Sequence, residues 1–61
     1  MKLIRWFKAN GEDREFKYVA GERDKTELQW LVAIIKEQGD IYRITNRDKA
    51  GYYHLYDCPN Y

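Results

Sequence analysis

The sequence predicts a small α+β domain of two layers, with one helix packed on a four-stranded antiparallel sheet in the order ββαββ. Three observations lead there. Alternating apolar and polar segments flank a turn at Asn10-Gly11, residues 28–35 carry apolar side chains at helical spacing, and two further alternating segments flank the polar stretch 46–51. A crossover from strand two to strand three then arranges the strands as 2-1-3-4.

Residues 2–8, KLIRWFK, place Ile4 and Trp6 on one side and Leu3, Arg5 and Phe7 on the other, an aromatic and β-branched mix at strand spacing. Asn10-Gly11 tolerates positive φ at a tight turn, and Phe16, Lys17, Tyr18 and Val19 resume the pattern as strand two, closed by Gly21. An odd-length loop pairs Trp6 with Phe16 and Ile4 with Tyr18, and turns Arg5, Phe7 and Lys17 outward. An even one buries Leu3, Phe7 and Phe16 and turns Trp6 out, because a one-residue slip flips every side chain. The odd register is the expectation.

Asp24 followed by Glu27 makes a capping-box-like helix start, and Gly39 is suited to the left-handed conformation past a helix end. Between them Leu28, Leu31, Val32 and Ile35 form the core-facing stripe. Trp30 and Ile34 fall outside it, either as a second apolar patch or, for Trp30, as peripheral core. The last two strands, IYRIT and YYHLYD, pair Ile44 with Tyr53 and Tyr42 with Leu55 under the helix. Arg43 and His54, with Ile41 and Tyr56, take the opposite face. Arg47 and Lys49 belong to a solvated hairpin tip.

A chain of 61 residues is one domain, 1–61, near the lower size limit for folding without staples. Met1 and the terminal Tyr61 read as the ends of a complete polypeptide. The apolar run 28–35 is far too short to span a bilayer, and the single Cys58 excludes an internal disulfide, so the expectation is a cytoplasmic protein with no membrane contact. The chain has no serine, and Cys58, Thr26 and Thr45 have no base placed to activate them. His54 and Cys58, four apart, do not make a metal site. Asp24 and Glu27 are explained by helix capping. The expectation is therefore a non-enzyme without metal or cofactor.

Nothing in the sequence covers the outer face of the sheet, where the odd register sets Arg5, Phe7, Lys17, Arg43, Tyr52, His54 and Tyr56. Acids collect elsewhere: residues 20–40 hold five acidic and three basic side chains. A basic, aromatic face suits recognition, since tyrosine, tryptophan and arginine concentrate binding energy at interfaces. The expected function is that of a small non-catalytic binding protein, an inhibitor or modulator occupying a surface of another protein, host or self. Trp30 and Ile34 form the second patch. By analogy, α+β proteins of this length encoded by phages and other mobile elements act in this way. Strand addition at the edges, expected to be strands two and four, gives a route to a homodimer. The alternative is single-stranded nucleic acid stacked on the rings, which a net charge of +1 supports weakly.

Overall fold

A computed structural model describes residues 3–59, so Met1, Lys2, Asn60 and Tyr61 lie outside the described residues. Its elements are β1 (Ile4–Ala9), β2 (Glu12–Glu22), a 3-10 turn (Lys25–Leu28) that runs into α1 (Gln29–Glu37), β3 (Ile41–Ile44) and β4 (Tyr53–Cys58). One helix on a four-stranded antiparallel sheet is the expected α+β architecture. No helix among the described residues is long and apolar enough to cross a membrane.

The strand order is β1-β2-β4-β3 and not 2-1-3-4. Either order leaves one strand inside the crossover from β2 to β3, and alternation alone does not say whether β1 or β4 fills that place. The length of β2 decides it. Instead of closing at Gly21, β2 continues to Glu22, pairing with β1 through residues 12–17 and with β4 through residues 17–22. The sheet edges are consequently β1 and β3, not strands two and four.

Asn10 and Gly11 both have positive φ, 55° and 78°, so the first hairpin closes through a two-residue turn of the primed type, whose twist matches that of the strands. That even loop sets Arg5 opposite Phe16 and Trp6 opposite Glu15, which corrects the expected odd register. Phe16 is buried and Phe7 half-buried, while Ile4, Trp6 and Lys17 share the face on which the helix lies. In the second hairpin the faces are as expected but the register moves by two residues. Ile44 faces Leu55, Tyr42 faces Asp57 and Arg43 faces Tyr56.

The register between β2 and β4 shifts between Tyr18 and Ala20. This bulge switches which residues point where. Phe16 and Tyr18 belong to the face away from the helix, whereas Val19 and Ala20 both pack toward the helix. A bulge also strengthens local twist. The sheet curls until its two edges approach, and the Arg43 guanidinium on β3 donates to the Lys8 carbonyl on β1 at 2.6 Å.

Two cores result, one on each face. Leu28, Val32 and Ile35, the expected stripe, bury Leu55 with Val19, Ala20, Leu31, Tyr42, Ile44 and Tyr53 around it. The concave face, expected to lie open, is filled by Ala9, Phe16, Tyr56 and Cys58, flanked by Phe7, Tyr18 and Ile41. Ring centroids 5.2 Å apart for Phe7 and Phe16, and 5.4 Å apart for Tyr18 and Tyr56, meet edge to face. Curling lets these rings cover one another without a second helix.

The 3-10 turn that leads into α1 is capped at its start, and α1 at its end. The Asp24 carboxylate accepts from the Thr26 amide at 3.0 Å. At the other end Gly39, φ 78°, lets its own amide reach Lys36 O and the Asp40 amide reach Ile35 O, the paired bonds of a Schellman turn.

Phe16→Ala removes a fully buried ring from the concave core and is expected to cost about 3–5 kcal/mol. Trp6→Ala, at a position 65 % exposed, should change stability by about 0.5 kcal/mol or less. Urea midpoints of the two variants check this, and similar losses in both would contradict the register.

Candidate functional site

The concave face ends in a groove along the seam between β1 and β3. One part, about 560 Å³, runs between Lys8–Asn10 and Ile41–Ile44. The other, about 460 Å³, is lined by Arg5 and Phe7 of β1, by residues 43–46 and Asp48, and by His54. Arg43 and Ile44 line both.

Phe7 forms the apolar floor, with the Arg5 guanidinium 5.0 Å and the Arg43 guanidinium 5.7 Å from its ring centroid. Arg5 also stands 5.8 Å from the Tyr56 ring. Cations over ring faces are held by the ring quadrupole. Both guanidinium groups are thereby positioned while their residues stay exposed. The groove is a cationic slot with an aromatic base.

At one end of it His54 is fixed by two partners. Its Nε2 lies 2.7 Å from Asp48 Oδ2 and its Nδ1 lies 3.1 Å from the Tyr18 hydroxyl. Asp48 can only accept, so Nε2 carries hydrogen and donates. In the neutral ring Nδ1 then accepts from the Tyr18 O–H. Burial first, and then the nearby Tyr56, Asp48 and Glu22 oxygens, push the Tyr18 hydroxyl above its ordinary value and keep it a donor. The other oxygen of Asp48 accepts from the Ala50 and Tyr52 amides, each at 2.9 Å. One carboxylate thus ties the β3–β4 turn to the imidazole. The Tyr52 amide chiefly, and then His54 and the Ala50 amide, hold Asp48 below its ordinary range.

Gly21 makes the array sterically feasible. A Cβ there would sit 2.6 Å from the Tyr18 oxygen and 2.8 Å from His54 Nδ1, so the hydrogen bond passes directly over its Cα.

Of the nine residues expected to contact a partner, Arg5, Phe7, Arg43 and His54 are brought together in the groove. Tyr56 lies on the same face but is 2 % exposed and belongs to the core, which corrects its assignment as a contact. Lys17 is on the other face, opposite Ile4 and Asp57, because the hairpin register is even. Tyr52, half-buried, precedes β4 with the Arg23 guanidinium 5.1 Å from its ring. Trp30 and Ile34 are 63 % and 41 % exposed on the helix, so Trp30 is not peripheral core. His54 is opposite Gly21 in the ladder and not opposite Arg43.

Sequence reasoning missed Tyr18, Gly21 and Asp48. Gly21 within the alternation carried the available signal, since a glycine inside a strand marks a bulge or a close approach. Among the described residues no group of three or more His, Cys, Asp or Glu side chains is placed to hold a metal ion.

Gly21→Ala should lower stability by about 1–3 kcal/mol through this overpacking and free the Tyr18 hydroxyl from His54, read by thermal melting and the imidazole proton resonances. Asp48 has a depressed folded pKa, so its contribution is present above the unfolded value of about 4 and is lost as pH falls through the folded one. Asp48→Asn should therefore melt below the wild type at neutral pH, with the gap closing as pH falls below the ordinary carboxylate range. A gap independent of pH would contradict the assigned role. No protein-family model matches the chain, and neither the curated proteins nor the solved structures yield a match, so function is to be read from this geometry.

Proposed function

We propose that the protein is a non-catalytic binding protein, an inhibitor or modulator that acts by occupying a surface of another protein. The observation that carries this reading is the placement of its two tryptophans. Trp6 and Trp30 are 65 % and 63 % exposed, in a domain that needs every large apolar side chain for its cores. Ile4, two residues from Trp6 on the same face of β1, is 47 % exposed, and Ile34, one turn from Trp30, is 41 % exposed. Helix α1 packs over β3, β4 and the second half of β2, which leaves the β1 side of that face uncovered. Paired apolar side chains of this size in solvent favour association, and tryptophan is prominent among residues that dominate interface energies.

The partner is another protein, of the host or a second copy, and the open edges of β1 and β3 supply the route to a homodimer. A cytoplasmic setting belongs to the same reading, supported by a lone, buried thiol at Cys58. Single-stranded nucleic acid is a second reading, favoured by Arg5 and Arg43 over Phe7. It is weakened by the burial of Phe16 and Tyr56, which leaves few rings on which bases can stack.

Affinity capture from cell extract, followed by titration of the purified pair, tests the lead. Trp6→Ala or Trp30→Ala should weaken the pair by about thirtyfold or more, with the circular dichroism of the fold retained. Unchanged affinity in both variants would overturn the reading. Tight oligonucleotide binding that falls steeply with salt would put nucleic acid in its place.

A further inference from the structure

We propose that the seam between β1 and β3 is a binding site for an extended segment of a partner protein in which acidic and apolar residues alternate. The proposal rests on the protein-binding reading above and names the partner's chemistry.

Backbone geometry comes first. The two-residue turn makes Ala9 and Glu12 a hydrogen-bonded pair, and alternation along the antiparallel ladder then points the amides and carbonyls of Ile4, Trp6 and Lys8 away from β2, toward the open edge. Two bonds confirm the phase. The Tyr18 amide donates to Leu3 O at 2.7 Å on the paired side, and Lys8 O, on the open side, accepts from Arg43. Arg43 thus occupies the place of a neighbouring strand's N–H. An incoming strand supplies that N–H itself and releases the guanidinium.

Side-chain chemistry selects the segment. A strand laid along β1 turns alternate side chains to the two faces. On the concave side they meet Arg5 and Arg43, where the only acidic residue lining the groove among the described residues, Asp48, is already engaged by His54 and two turn amides. A carboxylate there takes charge-assisted hydrogen bonds from the released guanidinium. On the opposite side they meet Ile4 and Trp6, both exposed. Acidic residues at every second position, with apolar residues between them, satisfy both faces at once.

The test uses the full chain and a blocked synthetic peptide of about eight residues, alternating Glu and Val, followed by calorimetry and amide chemical shifts. The expected result is saturable binding that shifts the Ile4, Trp6 and Lys8 amides, and that weakens about tenfold or more with Arg43→Ala. A Lys-Val peptide, or a Glu-Val peptide N-methylated at alternate residues, should not bind. Equal binding of the Lys-Val peptide, indifference to N-methylation, or indifference to Arg43→Ala overturns the proposal. A dimer of the free protein that Arg43→Ala dissociates assigns the seam to a second copy, and an oligothymidylate that displaces the peptide assigns it to nucleic acid; either overturns it. If the Glu-Val peptide fails while Trp6→Ala or Trp30→Ala still weakens the purified partner, the seam is wrong and the binding reading stands. If the partner ignores both tryptophans, that reading itself has failed.

Discussion

Strand β2 has to serve two neighbours and two faces, and the rest of the structure follows from how it does so. Its first half pairs with β1, its second with β4, and the slip between Tyr18 and Ala20 changes the facing of the chain where one duty gives way to the other. Phe16 and Tyr18 go to the concave core, Val19 and Ala20 to the helical one. The added twist closes the sheet on its own rings. Without that curl the concave face would be a flat aromatic platform, and Arg43 would not reach Lys8.

The parts of the fold legible in the sequence are those encoded by local periodicity. Leu28, Leu31, Val32 and Ile35 announce the buried side of the helix, Asp24 and Gly39 its ends, and Tyr53 and Leu55 their place beneath it. The parts that were not legible depend on a choice between near-equivalent pairings. Asn10-Gly11 is compatible with two-residue and three-residue loops, and one residue of difference moves Phe16 and Lys17 each to the opposite face, while Trp6 keeps its expected face and is exposed because the helix leaves the β1 side uncovered. Strand order rests on β2 pairing with β1 through its first half and with β4 through its second, which alternation alone does not encode. At the candidate site, Arg5, Phe7, Arg43 and His54 were identifiable by residue type and parity. Tyr56 was not separable from them, because a curled sheet buries one tyrosine of a face and leaves its neighbours accessible.

Electrostatics here is organised by geometry more than by net charge. Arg5 and Arg43 stand over the concave rings, Lys25 and Arg47 over Tyr53, and Lys36 over Tyr42. Much of the positive charge is thus laid against aromatic faces, with the stems of these side chains shielding apolar surface. The carboxylates are placed differently. Asp24 and Asp48 bind backbone amides and organise a helix start and a turn. The cations thus lie over rings, while these two acids serve the architecture of the backbone.

Strand β4 carries Leu55 into one core and its immediate neighbour Tyr56 into the other. Like β2, this strand is therefore a wall of both. The β1–β2 hairpin has local contacts, but it holds only part of each core, Phe16 of the concave one and Val19 and Ala20 of the helical one, until β4 docks across a long sequence separation. Docking completes both cores in a single event, so the domain has no stable half. Cooperative unfolding is the expected consequence, because residues 53–58, seated between β2 and β3, cannot leave without opening both cores.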